Sequence, residues 1–283
     1  PHEDWAIAWA PDSRRLAVAA NHPAILSAEG IPRWRASLSV VDVDSRSTLR
    51  TWERAQIIDV AWPPSDGAPE TIEFNRDSTE LWRFPIDSAR APARERALPR
   101  LIGAPTYASD GRSRAYAGPV SASDWVPTSS SDIWEVDVAT RAERRLTADS
   151  TLDGYPAYSP DGGWIAFISE RSGTRQLWLL PRGSGEPRPL TRNSDDVYLA
   201  PLSWLPDSRG VVYTAAGKIH VAFVDGSAER TVEFSADIAV ARWRGLRRPV
   251  LARPGERRRV RGIVDPELAP DGRRVAFATL GDL

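Results

Sequence analysis

Residues 155–169 read Tyr-Pro-Ala-Tyr-Ser-Pro-Asp-Gly-Gly-Trp-Ile-Ala-Phe-Ile-Ser, and Gln-Leu-Trp-Leu-Leu-Pro follows at 176–181. Within this stretch, Ser159-Pro160-Asp161-Gly162 predicts a tight turn. Proline presets φ at the second turn position, aspartate bonds to its own backbone, and glycine accepts a positive φ. Short apolar runs separated by such turns predict consecutive antiparallel strands. With a fourth run at 188–191, the stretch predicts a four-stranded unit.

The same hairpin recurs along the chain. Its copies begin at positions 9, 62, 107, 158, 204 and 268, which are 45 to 64 residues apart, and the copy at 62 is degenerate. Four strands repeated at such a period indicate a β-propeller. We therefore expect an all-β protein with about six four-stranded blades. The last blade is expected to be incomplete, because only one hairpin follows position 263.

The aspartates and glycines of these turns receive a structural interpretation, because turn chemistry alone accounts for them. The residues assigned to turns in this way are Asp12, Asp110, Asp161, Gly162, Asp207, Asp271 and Gly272.

The blade pattern also resembles a known family. The aromatic-Ser-Pro-Asp-Gly hairpin, followed by Ile-Ala-Phe, Leu-Trp and Leu-Thr, is similar to the WD-repeat-like blade of TolB-type propellers over nearly the whole chain. Such propellers occur in TolB, in propeller-bearing amidohydrolases, and in peptidases of the prolyl-oligopeptidase and tricorn types. The resemblance is specific for the fold and says little about function, because propellers host many activities.

Two functions follow from the resemblance. The first is a non-catalytic binding or scaffolding domain that engages a protein or peptide partner, as the periplasmic TolB propeller does. The second is the propeller portion of a larger hydrolase whose catalytic domain lies outside this chain, C-terminal to it. The resemblance supplies no catalytic residue at any position of this sequence, and it implies a periplasmic or secreted location.

Composition limits the classes of site. The chain has 283 residues, a formal net charge of −1, and 36 arginines beside one lysine, so its bulk charge does not favour nucleic acid. It has no cysteine, which excludes disulfides and thiolate metal sites. No apolar run approaches the roughly 18 residues that cross a membrane. Because it starts with Pro1 and has no methionine, we expect a fragment or processed product.

We expect residues 1–235 to form five blades, 236–262 an arginine-rich connector, and 263–283 the first hairpin of a further blade. Asn21–Trp34 is interpreted as a long connection and Gly118–Ser131 as a surface loop. The stretch Arg242–Arg261 holds nine arginines opposed by Glu256 alone. A nucleic-acid contact is one interpretation of it, and a solvated connector is the preferred one. The connector leaves two alternatives for the final hairpin: an exposed edge beside blade one, or displacement from the ring.

The residues that could take part in catalysis or metal binding are interpreted as structural. His2, His22 and His220 have no metal-pair spacing, and Gly183-Ser184-Gly185 and the string around Ser113 lack the strand–helix elbow of serine hydrolases. We predict no catalytic residue, no metal site and no cofactor, and we assign no ligand-binding residue. A protein or peptide is the expected partner.

Two further groups of residues are considered as binding sites: paired carboxylates and tryptophans. Asp42 with Asp44, and Asp195 with Asp196, are interpreted as solvated surface rather than a cation site. The tryptophans are interpreted as core between blades, with an aromatic ligand platform as the alternative. Six of the twelve fall on predicted innermost or third strands: Trp9, Trp62, Trp82, Trp134, Trp178 and Trp204.

Overall fold

The computed structural model describes residues 5–26, 32–54, 56–64, 67–75, 78–87, 90–98, 102–118, 130–233 and 263–279. All regular secondary structure in these residues is β-strand. The strands form five four-stranded sheets and one two-stranded sheet, each with its strands in consecutive antiparallel order. The expected all-β propeller with an incomplete last blade is thereby confirmed.

Each sheet is one blade, and in every blade the first strand in the chain is the innermost. Blade one contains β1 (Trp5–Trp9), β2 (Arg15–Leu26), β3 (Pro32–Asp42) and β4 (Ser47–Arg54). Blade two contains β5 (Asp59–Ala61), β6 (Glu70–Asn75), β7 (Ser78–Arg83) and β8 (Ala93–Leu98). Blade three contains β9 (Ile102–Tyr107), β10 (Ser113–Gly118), β11 (Asp132–Asp137) and β12 (Glu143–Arg145).

Blade four contains β13 (Asp153–Tyr158), β14 (Trp164–Ser169), β15 (Gln176–Pro181) and β16 (Arg188–Pro189). Blade five contains β17 (Ser203–Trp204), β18 (Gly210–Ala215), β19 (Lys218–Phe223) and β20 (Arg230–Val232). The sixth sheet contains β21 (Ile263–Leu268) and β22 (Val275–Thr279). The innermost strands β1, β5, β9, β13, β17 and β21 contact one another in that order, and β21 contacts β1. The blades therefore form a closed ring.

The final hairpin closes this ring, so its displacement from the ring is the wrong alternative. The backbone N–H of Trp9 donates to Glu267 Oε1 at 3.1 Å, and the Trp9 indole donates to the Glu267 carbonyl at 3.0 Å. Arg274 forms an ion pair with Asp44 at 3.0 Å. On the other side, the backbone N–H of Leu268 donates to Ser203 Oγ at 3.1 Å. The hairpin thus lies between blades five and one.

The interpretation of Asn21–Trp34 as a connection is wrong. Strands β2 and β3 continue through most of it, and Leu26 pairs with Pro32 near its tip. The sequence favours a connection here because Pro23 is typical of the end of a strand. It falls at a register shift between His22 and Ile25, which is where a strand tolerates proline. The predicted Gly118–Ser131 loop lies largely outside the described residues, and the predicted connector at 236–262 lies wholly outside them.

An aromatic residue at the end of an inner strand repeatedly reaches the preceding blade. Trp204 donates its indole N–H to the Ala157 carbonyl at 2.9 Å, as Trp9 does to Glu267. Tyr158 donates its hydroxyl to Glu135 Oε1 at 2.9 Å. Buried aromatic rings supply a large hydrophobic contribution while their polar ends need a partner. The positions of these tryptophans therefore favour the core interpretation over a ligand platform.

The hairpin turns of neighbouring blades are also bonded to each other. Ser13 and Ser208 occupy the position that glycine holds in other copies, with φ of 56° and 61°. The backbone N–H of Asp161 donates to Ser208 Oγ at 3.0 Å, and that of Asp271 donates to Ser13 Oγ at 2.9 Å. A left-handed conformation costs a non-glycine residue about 1–2 kcal/mol. Each serine offsets this cost with a bond between blades.

This turn geometry predicts an unusual order of stability at position 208. Ser208→Ala keeps the strained φ and loses the bond, so we expect it to lower the free energy of unfolding by about 0.5–1.5 kcal/mol. Ser208→Gly loses the bond but relieves the strain, so it should lie within about 0.5 kcal/mol of the parent. Urea denaturation followed by circular dichroism measures both. The same two substitutions at Ser13, which has the same geometry, should give the same order of stability. Alanine variants that are more stable than the glycine variants would contradict this explanation.

Ring closure can be tested at Trp9. Trp9→Phe leaves the Glu267 carbonyl without its indole donor, and we expect a loss of about 1–3 kcal/mol in the free energy of unfolding. Trp204→Phe removes the equivalent bond between two consecutive blades and is the matched control. Urea midpoints measured by circular dichroism should fall by similar amounts. A loss for Trp204→Phe with none for Trp9→Phe would mean that the seam is open in solution.

Candidate functional site

The inner strands present their free edges to the centre of the ring, because each is the terminal strand of its sheet. Three of them contain a register shift, and a proline lies within each shift: Pro105 in β9, Pro156 in β13 and Pro266 in β21. Proline has no N–H for the ladder and suits an edge or a bulge. Bulges bend a strand and re-aim its side chains. The centre of the ring is therefore bordered by irregular backbone.

Tyr155 is the most unusual residue of this border. Its φ is 51°, and it lies within the register shift of β13. Its side chain packs, partly buried, against the two hydrophobic clusters on either side of blade four. A positive φ is an outlier for a bulky residue and occurs where surrounding structure enforces it, often at binding sites. The sequence gives no signal for this feature of Tyr155, since nothing in a Gly-Tyr-Pro string indicates the sign of φ.

The end of the ring opposite the hairpin turns carries a charged cluster above blade four. Arg171 pairs with Asp149 at 2.8 Å and with Asp153 at 2.7 Å. Its guanidinium lies 4.9 Å from the Trp178 ring centre. Asp153 has no exposed surface, and burial raises the pKa of its carboxyl above the usual value, against the lowering effect of Arg171. Arg171 is thus held rigidly at this end, which we call the loop end.

A second charged pair joins the β14–β15 loop of blade four to the segment that leads to blade five. Arg175 donates its backbone N–H to Asp196 Oδ1 at 2.9 Å and its guanidinium to Asp196 Oδ2 at 3.0 Å. The backbone bond, followed by the side-chain bond, holds the pKa of Asp196 below its ordinary range. Tyr198, two residues on, exposes 38% of its surface. We call Arg171, Arg175, Asp196 and Tyr198 the loop-end patch.

The loop-end patch combines fixed charges with an exposed aromatic ring, which suits hydrogen-bonded and stacking contacts with a polypeptide. It holds no nucleophile paired with a base. Nowhere among the described residues do three His, Cys, Asp or Glu side chains come together as a metal set. The described part of the chain also contains no helix able to span a bilayer. The loop-end patch thus offers charged, hydrogen-bonding and aromatic contacts at one end of the ring.

The turn residues that the sequence singled out lie at the opposite end, in five of the six blades, and do not form one site. In five turns the first aspartate oxygen accepts a backbone N–H from two residues on, at 2.9–3.0 Å: Asp12, Asp110, Asp161, Asp207 and Asp271. Gly162 and Gly272 have φ of 73° and 67°. A Cβ at Gly272 would lie 2.7 Å from Pro206, so only glycine fits between these blades.

The remaining candidates also have local partners. His220 stacks on Tyr213 with ring centres 5.3 Å apart, and Tyr213 donates its hydroxyl to Glu229 at 2.8 Å. Burial raises the pKa of Tyr213 above its usual value. Ser113 accepts a bond from Arg182 at 2.9 Å, and Gly183–Gly185 lies between β15 and β16. His2 and the arginines of 242–261 lie outside the described residues.

The interpretation of Asp42 as solvated surface is wrong. The side chain is buried, and its Oδ1 accepts the backbone N–H and the hydroxyl of Ser45, each at 2.9 Å. Its Oδ2 accepts from Arg14 at 2.7 Å. The bonds from Ser45, more than the charge of Arg14, lower the pKa of Asp42 to about 2. Asp42 fixes the β3–β4 turn.

Comparison with known proteins agrees with this architecture. The profile of the family described as TolB beta propeller domain matches residues 24–238. An uncharacterized protein of Agrobacterium fabrum, Atu1656, is 36% identical over 88 residues, covering 29% of this chain and 28% of that protein. The uncharacterized peptidase YuxL of Bacillus subtilis is 33% identical over 113 residues, covering 40% of this chain and 17% of that protein. This chain thus aligns with under a third of either relative.

Among solved structures, TolB from Acinetobacter baumannii superposes with a TM-score of 0.65 at 20% identity. The match covers 98% of this chain and 58% of that one. At this identity the likeness concerns the fold. The expected resemblance to TolB-type propellers is confirmed.

The environment of Asp42 predicts a pH effect. Its folded pKa lies below the unfolded value of 3.8, so its stabilising contribution is complete above that value and is lost as pH falls through about 2. Asp42→Asn should therefore be less stable than the parent at pH 6, and the difference should shrink between pH 4 and pH 2. Urea midpoints across this range measure it. A constant difference down to pH 2 would contradict the assignment.

Proposed function

We propose, from the premise that this chain belongs to the family of TolB β-propeller domains, that it is a non-catalytic binding or scaffolding domain for a protein or peptide partner. Fold alone does not determine function in propellers, so the proposal must depend on the surface. The loop-end patch and the irregular inner border are the features that support it.

The observation that carries the proposal is the closed order of the six inner strands. Closure directs the loops of one end and the free inner edges toward one axis, so separate blades contribute to a single surface. Arg171 and Arg175 are held there by carboxylates, and Tyr198 is exposed beside them. Pre-organised side chains lose little freedom on binding, which favours affinity.

A second candidate is the propeller portion of a larger hydrolase, as the match to a Bacillus subtilis protein named a peptidase suggests. Here the catalytic domain belongs to a covalent C-terminal extension and the propeller restricts access or holds substrate. The division into five blades at 1–235, a connector at 236–262 and a further blade from 263 is part of both proposals. So is a periplasmic or secreted location.

A displayed peptide library tests the binding proposal. Peptides selected on the immobilised protein should bind in the micromolar range or tighter, and the double variant Arg175→Ala with Tyr198→Ala should weaken them about tenfold, or about 1.4 kcal/mol. Leu49→Ala removes an exposed apolar side chain from blade one and is the matched control.

Mass spectrometry of the bound peptides separates the candidates. They should remain intact after incubation with the protein. Peptides that bind the double variant as well as the parent would refute the loop-end patch as the site. Cleavage that is lost when a residue of this chain is replaced would refute the non-catalytic assignment.

A further inference from the structure

The interface between blades two and three contains a closed network of polar side chains. Glu70 of β6 has only 1% of its side chain exposed, and it accepts from the Tyr107 hydroxyl of β9 and from Arg83 of β7 at 2.9 Å. Arg83 also pairs with Glu95 of β8 at 2.9 Å. Arg114 of β10 completes the network, because it lies 4.0 Å from Glu95 and close to the Tyr107 phenol. Two contacts, Tyr107 with Glu70 and Arg114 with Glu95, therefore join the blades.

These four groups are the ionisable side chains that face Glu70 from the strands around it. On β6 itself, the carboxylate of Glu73 lies on the opposite face, where it pairs with Arg54 of blade one at 2.7 Å. The other two strands at this position, β5 and β11, contribute uncharged residues: Ala61, Trp134 and Val136. The charge of Glu70 is therefore balanced within the network alone.

The next interface has the same contact between an aromatic residue and a carboxylate, but with more positive charge. Glu135 accepts from a tyrosine of the following blade, as Glu70 does, and also from Arg144 at 2.8 Å and Arg182 at 3.2 Å. Two guanidiniums thus serve Glu135, whereas Glu70 shares Arg83 with a second carboxylate. A buried charge is costly unless a partner compensates it fully. Of these two carboxylates, Glu70 is the less compensated when it is ionised.

The direction of the pKa differs between the two carboxylates accordingly. Burial raises the pKa of Glu70, and the charge of Glu95 adds to this, against the lowering effect of the bonds from Tyr107 and Arg83. Burial also acts upward on Glu135, but the bonds that it accepts outweigh burial and lower its pKa. Glu70 therefore takes up a proton at a higher pH than an ordinary glutamate, and Glu135 at a lower pH.

We propose that the interface between blades two and three is a proton-controlled switch, in which proton uptake by Glu70 transfers Arg83 wholly to Glu95. A proton from solvent neutralises the Glu70 carboxylate, which then needs no cation. Glu95 keeps its charge, with 31% of its side chain exposed. The polar link between the blades moves outward to Glu95 and Arg114, whose buried Nε has no hydrogen-bond partner among the described residues. This switch acts within the ring and does not depend on the loop-end patch.

The proton should stabilise the fold. The folded pKa of Glu70 lies above the unfolded value of 4.5, so the stabilisation is complete below that value and is lost as pH rises through the folded pKa. As pH is lowered from 8 to 5.5, the unfolding constant of the parent should fall relative to that of Glu70→Gln, by up to about tenfold per pH unit. Urea denaturation measures both. Glu135→Gln is the matched control, and its difference from the parent should stay constant over this range.

Two neighbouring substitutions should shift the pH of proton uptake in opposite directions. Tyr107→Phe removes a donor that favours the ionised carboxylate, so it should raise this pH. Glu95→Gln removes a repelling charge, so it should lower this pH. The infrared C=O stretching band of a protonated carboxyl, present in the parent and absent from Glu70→Gln, follows the titration. If Glu70→Gln does not fold, the pH dependence of the urea midpoints of the other two variants gives the same shifts.

The transfer of Arg83 is tested by a double-mutant cycle with Arg83→Gln and Glu95→Gln. Their coupling should be larger at pH 5.5 than at pH 8 in the parent, and the same at both in Glu70→Gln. A coupling that does not change with pH in the parent would refute the transfer. A constant difference between the parent and Glu70→Gln from pH 8 to 5.5, or shifts of the same sign for Tyr107→Phe and Glu95→Gln, would refute proton uptake at Glu70.

Discussion

The ring depends on one recurring interaction, the reach of an aromatic side chain from the end of an inner strand into the preceding blade. Apolar packing between blades is non-directional and leaves their relative rotation open. The polar end of each ring removes that freedom. Trp9 and Trp204 bond to backbone carbonyls, while Tyr107 and Tyr158 bond to the carboxylates of Glu70 and Glu135. Burial of apolar surface holds neighbouring blades together, and a single hydrogen bond fixes their relative rotation.

The carboxylate of Glu70 shows what this geometry requires. Glu70 is almost fully buried, and burial raises the pKa of its carboxyl although Tyr107 and Arg83 bond to it. Buried ion pairs often contribute little net stability, because desolvation opposes their attraction. Removing one partner is nevertheless costly, because it leaves a buried charge unpaired. We infer that these networks select one arrangement of blades rather than strengthen it.

Sequence reasoning recovered the features that repeat. Six hairpins, their turn chemistry and the two-stranded last sheet all follow from local patterns around positions such as Trp164 and Asp161. It failed where the outcome depends on a distant partner. Ser208 resembles any turn serine until the neighbouring Asp161 N–H is placed beside it, and Pro23 indicates a break unless a bulge can accommodate it. The loop-end patch was missed for the same reason, because Arg171, Arg175 and Tyr198 acquire meaning only from the blades that support them.

The bond between Trp9 and Glu267 joins residues 258 positions apart. During synthesis at about 5–20 residues per second, the first inner strand waits roughly 13 to 50 seconds for its partner to leave the ribosome. Through that interval four more blades assemble beside it while one face of blade one stays uncovered. Ser37 and Ser39 lie on that face, because they alternate along β3 with Leu38 and Val40, which pack toward blade two. Ser39 shares a hydrogen bond with Thr51 of β4, and these hydroxyls keep the outer part of the face wettable. The polarity of this face thus suits the nascent chain, whose first blade must remain soluble until its last one arrives.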